Sequence, residues 1–258
     1  MKKKLVKVIA VIGISYFSVT AASATGEAVN LDEGRVREIV KEVIKENPKL
    51  IFDTVNDYIR IQREEKEAEQ FESGFKNRIR DIAVSEKNPV KGNKDAQITI
   101  IEFSDFQCPY CSKAIDTIEQ LLKEYPEKVK WIFKQNPLEF HKQAMPAAKA
   151  SLAAHKQGKF WEYHDLLFKN SSNLSEEMLI QFAKDLKLDV EKFNTDRNSP
   201  EIEEQIKAEQ AEAEKHGLKG TPSFLVDGVL VRGARDKEHF IMVIERILAE
   251  KDKEPQKK

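Results

Sequence analysis

The sequence predicts an α/β fold, in which a β-α-β unit and a β-β-α unit are separated by an all-helical insertion and preceded by a purely helical segment. Three observations carry that expectation. Apolar residues recur at steps of three and four over residues 36–59, then give way after a Pro- and Gly-bearing break at 89–93 to short β-branched runs between helical stretches. The only two cysteines, Cys108 and Cys111, stand where one such run passes into a helix. Near the end, Asp227-Gly228 separates two short apolar runs, which is a hairpin signal.

Taken in order, residues 1–24 read as a secretory signal peptide. Lys2, Lys3, Lys4 and Lys7 precede an apolar run at 8–17, and Ala22-Ser23-Ala24 supplies a small-x-small cleavage site. The run is too short to span a bilayer comfortably; an uncleaved N-terminal anchor is the alternative. No cysteine follows it, which excludes lipoprotein modification at that point. Cleavage removes four lysines and no acid, taking the net charge from −1 to −5. The expected product is an exported protein of the bacterial periplasm, where disulfides persist.

Composition narrows the function classes. With 258 residues, 40% hydrophobic and 34% charged, the chain is neither collagen-like, low-complexity nor a multi-span membrane protein. Lys+Arg 43 against Asp+Glu 44 leaves no basic field to draw nucleic acid. Two cysteines are too few for a disulfide scaffold.

Residues 25–91 form the expected helical segment. Val36, Ile39, Val40, Val43 and Ile44 make one stripe, and Leu50, Ile51, Val55, Tyr58 and Ile59 a second. Asn47-Pro48 divides them: Asn47 suits a cap and Pro48 a first helical position. The second helix is expected from 48 towards 84. Its middle, 62–70, is almost wholly polar, and the charged run at 63–69 reads as a solvated face. An apolar stripe with nothing of its own to pack on is expected to meet another copy, giving a homo-oligomer through residues 27–80. Dimer and trimer stay open, and so does the alternative that the stripe folds back on its own chain.

Residues 92–250 carry the expected α/β domain. A β-branched strand at 97–103 leads to a helix at 108–125 ended by Pro126, then an alternating strand at 128–134 with Val129, Trp131 and Phe133 on one face. Helices follow at 143–157, 159–170, 175–186 and 200–217, inside an insertion of about 139–217, with Ser175 as a cap. Strands at 223–226 and 229–231 and a helix at 236–250 complete it. Residues 251–258 are a charged tail.

The cysteine pair carries the chemistry. A thiol at a helix N-terminus meets unpaired N–H groups and the positive end of the dipole, and both favour the thiolate. The spacing lets the second sulfur reach the first across one turn, so Cys108 should attack and Cys111 should resolve. A zinc half-site would need a second ligand pair, and the five histidines are scattered. A structural disulfide here would close too small a loop to stabilise much.

Residues Glu102-Phe103-Ser104-Asp105-Phe106-Gln107-Cys108-Pro109-Tyr110-Cys111 resemble the active-site segment of the DsbA family of thiol–disulfide oxidoreductases. Phe140-His141-Lys142-Gln143-Ala144 and the segment from Gln157 to Asp165 resemble its helical insertion, and Gly220-Thr221-Pro222-Ser223-Phe224 its cis-proline loop. The resemblance covers roughly residues 95–250 and implies a thioredoxin-like fold with an inserted helical subdomain, preceded here by an N-terminal helical oligomerisation segment. That segment is similar to the one in the ScsC-like branch, whose members include disulfide isomerases.

The resemblance also bears on supporting residues. It implies a cis Thr221–Pro222 bond and a Thr221 backbone free to pair with an extended substrate; an ordinary trans turn is the alternative. Threonine before the proline departs from the valine of the strong oxidases. It implies that Glu102 is a buried proton acceptor for Cys111, although strand alternation alone leaves its direction open. Pro109 and Tyr110, between the cysteines, set how far the dithiol is stabilised and belong with Thr221 and Pro222 to the substrate-binding set. Without a histidine there, a less oxidising pair than a Cys-Pro-His-Cys relative is expected. His141, Trp161 and His164 are expected in packing.

The resulting expectation is an enzyme that oxidises or isomerises disulfides in cysteine-containing exported proteins. No metal or organic cofactor is called for, and a redox partner in the membrane or periplasm resets it. A redox-inert oligomeric scaffold of the same fold is the alternative.

Overall fold

The computed structural model describes residues 32–253; the signal peptide read over 1–24 and the end of the charged tail lie outside the described residues. The chain divides into two units, with the boundary between Glu65 and Lys66.

The first unit holds α1 (Glu33–Glu46) and the beginning of α2 (Pro48–Lys76). Asp32 caps α1 by accepting from Arg35 N at 2.7 Å. Asn47 closes the same helix: its backbone and side-chain N–H groups both donate to Val43 O. The side chain expected to cap α2 is thus spent on the helix before it. No residue of α1 is buried, and Val36, Val40, Val43, Leu50, Phe52, Tyr58 and Ile59 are all exposed. Ion pairs one turn apart, Arg37–Glu33, Lys49–Asp53 and Arg60–Glu64, support the helices. All are solvent-exposed and weak, and with none of its side chains buried this unit has no core of its own.

The second unit is built on a five-stranded sheet in the order β1-β3-β2-β4-β5, with β1 (Val90–Gly92), β2 (Ile98–Ser104), β3 (Val129–Gln135), β4 (Ser223–Val226) and β5 (Val229–Arg232). The parallel pair β2–β3, in register from Ile98↔Val129 to Ser104↔Gln135, needs a crossover, and α3 (Pro109–Glu124) provides it. β4 lies antiparallel to β2, with Phe103 opposite Ser223. The β4–β5 turn puts Asp227 at φ 46° and Gly228 at φ 86°, the two left-handed positions that such a hairpin requires.

Strand parity divides the core. Ile98, Ile100, Val129, Trp131 and Phe133 join α3, the insertion and the closing helix α9 (Lys237–Lys251) in the main core. Phe103 and Leu225 face the other way and are covered by Ala213, Leu218, Ile79 and Ile82. The insertion comprises α4 (Ala144–Lys156), α5 (Phe160–Lys169), α6 (Glu176–Asp185), α7 (Val190–Arg197) and α8 (Pro200–Lys215). Ser175 caps α6 as expected, accepting from Met178 N.

Three elements differ from the sequence reading. α2 stops at Lys76 rather than near 84, and Gly74 near its end lies against β5, where a Cβ would sit 3.2 Å from Val229 and 3.3 Å from Leu230 O. Beyond it the chain crosses the second sheet face as a strap: Ile79 N donates to Gly228 O at 2.8 Å, and Ala83 O accepts from buried Lys134, which is paired with Glu212. β1 lies where a turn was read, and α7, which buries only Phe193, was not anticipated.

A Cβ on Gly228 would come 2.6 Å from Ile79 O in addition to the strained φ. Gly228→Ala is therefore expected to destabilise the fold by about 1–3 kcal/mol, read as a lower urea midpoint at unchanged slope.

Candidate active site

β2 ends at Ser104, and the turn that follows delivers Cys108 to the head of α3. Cys108 N donates to Asp105 O at 3.0 Å, and Cys108 O accepts from Cys111 N and Ser112 N. Cys108 is the N-cap residue with extended backbone, and Pro109 opens the helix, giving up an N–H that the helix would not have used. Both cysteines are thiols; Cys108 is 4% exposed and Cys111 fully buried.

The antiparallel β2–β4 pair brings the second half of the site to the first. Thr221 and Pro222 immediately precede β4, and the Cys108 thiol donates to Thr221 O at 3.2 Å across more than a hundred residues of sequence. The Thr221–Pro222 peptide is cis, as expected. Thr221 Oγ1 is buried without a partner. Tyr110, beside Cys108, is 64% exposed.

Glu102 takes the same side of the sheet as Ile98 and Ile100, and its residue is 2% exposed. Around it lie Ser104 Oγ and Trp131 Nε1, both buried, and both favour its ionised form. Burial pushes the Glu102 carboxyl up to about 8. Burial likewise drives the Cys111 thiol well above its ordinary value, with the neighbouring Cys108 and Glu102 adding to the shift. Cys108 moves the other way, down to about 5: the Cys111 thiol is the chief cause, and Thr221 and the N–H groups of Cys111 and Tyr110 assist against partial burial. One sulfur is thus anionic at neutral pH and the other is a protonated reserve beside a protonated carboxyl. That is the division of labour an acid–base pair needs.

Among the sequence-selected residues, Glu102, Cys108, Pro109, Tyr110, Cys111, Thr221 and Pro222 gather at this one end of the sheet. Trp161 and His164 lie in packing. His164 is fully buried among Trp131, Trp161, Phe106, Phe133, Phe160 and Phe168, and Trp161 Nε1 donates to Val90 O at 3.0 Å. His141 does more than pack: its Nδ1 lies 2.8 Å from Asp105 Oδ2. Asp105 was not singled out from the sequence, yet it is 1% exposed and also accepts from Gln107 N and Leu138 N. The available signal was local, an Asp two residues before an N–H it could close on. Among the described residues, no cluster of three or more His, Cys, Asp or Glu is placed to hold a metal.

Residues 84–246, more than half of the chain, match the family Thioredoxin_4, described as Thioredoxin. The chain belongs to the thioredoxin family. Among solved structures, this thioredoxin-family chain is similar to a thioredoxin-like oxidoreductase from Silicibacter pomeroyi DSS-3, with 31% identity and a TM-score of 0.57 over 63% of this chain and 93% of that one. It is also similar to the thiol-disulfide exchange protein alpha-DsbA2 from Wolbachia pipientis, with 26% identity and a TM-score of 0.56 over 68% of this chain and 92% of that one. The DsbA-like resemblance and the thioredoxin-like fold read from the sequence agree with these neighbours. Over 156 residues it is 35% identical to a Na(+)/H(+) antiporter NhaA from Herminiimonas arsenicoxydans, covering 60% of this chain and 25% of that one. It spans about a quarter of the length of the curated relatives it matches. No helix among the described residues is long and apolar enough to cross a membrane.

Two titrations test this electrostatic arrangement. Ultraviolet thiolate absorbance of the reduced protein is expected to rise with a midpoint near pH 5, and Cys108→Ser should abolish that step. Folded Glu102 holds its proton up to about pH 8, whereas an unfolded carboxyl loses it near 4.5, so stability falls as pH rises through that window. Glu102→Gln should therefore match the parent Tm below the lower value and exceed it at the upper one.

Proposed function

We propose that this chain is an exported protein thiol–disulfide oxidoreductase, of the ScsC-like branch, that oxidises and isomerises disulfides in other exported proteins. The observation that carries the reading is the Cys108 sulfur, lowered to about 5 and held 3.2 Å from the main-chain carbonyl of Thr221. A low-pKa sulfur beside main chain at the head of β4 suits a substrate segment added as an extended strand, with Pro109, Tyr110, Thr221 and Pro222 as its contacts.

In reduction, the Cys108 thiolate attacks one sulfur of a substrate disulfide; a mixed disulfide forms and the other substrate sulfur leaves as a thiolate. Cys111 then passes its proton to the Glu102 carboxyl as that group gives its own to the first substrate thiolate, and the Cys111 sulfur attacks Cys108 Sγ. The Cys108–Cys111 disulfide forms, and the second substrate thiolate leaves. Oxidation of a substrate dithiol runs the same steps backwards, and a redox partner in the membrane or periplasm restores the oxidised pair. In isomerisation a second substrate thiolate displaces Cys108 from the mixed disulfide, and the enzyme emerges reduced.

The helical segment adds to this reading. Its apolar side chains are exposed and its ion pairs are weak, and a short helical pair without a buried face is marginal by itself. Burying the stripe against other copies stabilises it, and several dithiols then serve one misfolded substrate at raised local concentration. The stalk is proposed for the residues before 66, since Phe71 and Phe75 already pack on the second unit's core.

Assays separate the parts of the proposal. Cys111→Ala is expected to accumulate substrates as mixed disulfides on Cys108, whereas Cys108→Ala traps few; equal trapping on both would reverse or remove the roles. The parent should reduce insulin with dithiothreitol above background, which an inert scaffold would not do, and should rescue scrambled ribonuclease. Light scattering of the mature chain should give a multiple of the monomer mass. Deleting residues 25–65 should give a monomer that keeps dithiol oxidation and loses most of the ribonuclease rescue. A monomeric parent at micromolar concentration would remove the stalk.

A further inference from the structure

A carboxyl that passes a proton on inside a core is a buried anion until the next proton arrives, and a buried anion needs donors. The sheet places two beside Glu102. Ser104 lies two residues further along β2, on the same face. Trp131 of β3 is opposite Ile100, so it stands diagonally across from Glu102, within reach of a long side chain. Both are fully buried. Neither Ser104 Oγ nor Trp131 Nε1 makes a hydrogen bond of ordinary length and angle, yet both lie close enough to favour the carboxylate. Phe133 and Phe224, directly opposite Glu102 on the two neighbouring strands, have no polar side-chain atom to offer.

The two donors differ in freedom. The Trp131 indole is fixed between the rings of Trp161 at 4.5 Å and His164 at 5.4 Å, and Trp161 is itself tied to Val90 O. The Ser104 hydroxyl turns about a single bond. It also lies beside Cys111 and favours the thiolate there. The titratable groups that face Glu102 are Cys108 and Cys111 of α3. Behind Trp131 come His164 and Asp165 of α5, and Lys91 of β1, which pairs with Glu119 of α3 and lies over the Trp161 ring. A donor left idle in a dry core calls for an explanation, and here two of them flank the one carboxyl that changes charge.

We infer that Ser104 and Trp131 are positioning residues for the proton transfer: loosely placed while Glu102 is a neutral acid, they close on its oxygens as its proton leaves for the first substrate thiolate, and Ser104 turns to the Cys111 sulfur as that sulfur becomes the anion. One negative charge thus passes from the first substrate sulfur to Glu102 and on to Cys111, each time against a proton moving the other way. Trp131 serves the carboxylate alone, and Ser104 serves both anions in turn. This deepens the exchange mechanism proposed above and rests on it.

Trp131 and Trp161 are the only tryptophans, so two indole N–H resonances of the reduced mature chain provide the test and its control. The Trp131 resonance is expected to move downfield as pH rises through about 8, together with the Glu102 carboxyl carbon. The Trp161 resonance, held by Val90 O, should stay, and Glu102→Gln should abolish the movement of the first. Trp131→Phe and Ser104→Ala should each raise the Glu102 midpoint by about one pH unit, a tenfold change in ionisation. Each should also slow release of a peptide disulfide substrate from Cys108, relative to its capture, by up to about tenfold at neutral pH. Ser104→Thr, which keeps the hydroxyl, should follow the parent. A stationary Trp131 resonance, or a Glu102 midpoint unmoved in both variants, overturns the inference and leaves the exchange function standing. Raised midpoints with release unslowed in both variants overturn the role of the donors in exchange. A parent that shows the titrations but is inert towards insulin overturns the exchange function, and that role with it.

Discussion

The pairing of β2 with β4 is the constraint on which the site depends. It sets Glu102 opposite Phe224 and Phe103 opposite Ser223, so the two loops beyond those residues, one ending in Cys108 and one in Thr221, meet at the same end of the sheet. Slipping this register by one residue would turn every side chain of β4 to the opposite face and carry Thr221 away from the sulfur. The insertion between β3 and β4 can vary in length without disturbing that meeting, because both of its ends are anchored in the sheet.

Burial then divides the chemistry among groups that are alike in solution. Cys108 and Cys111 differ by one helical turn, yet the outer sulfur gains donors and the inner one loses solvent, so their acidities move apart. Glu102 completes the division from beneath. A carboxyl in a dry core is a cost to the fold, and it is offset only in part by Ser104 and Trp131. A fold selected for stability alone would place an apolar residue there, beside Ile98 and Ile100.

What could be read in the sequence was local. The strand-to-helix junction at the cysteines, the Asp227-Gly228 turn and the Ser175 cap each depend on a few adjacent residues, and each lies where it was expected. What could not be read depends on distant partners. Ile79 and Ile82 keep helical spacing with α2 and so extended it on paper; in the fold they leave the helix to cover Phe103 and Leu225. β1 is three residues long and exists only because β3 pairs with it. Glu102 stayed undecided because β2 is covered on both faces, which erases the alternation that would have aimed it. Asp105 and His141 meet across 36 positions, beyond the reach of any periodicity.

The strap after α2 has a consequence for the order in which the chain completes its fold. It opens the second unit, yet its partners come from the unit's end: Ile79 waits for Gly228, Ala83 for Glu212 and Arg78 for Glu250. In a chain that emerges from its N-terminus, the first residues to arrive find their places only when the last have followed. A chain stalled before β4 has no closed sheet and no Thr221 beside Cys108. The Cys108 site is complete only once β4 has paired with β2.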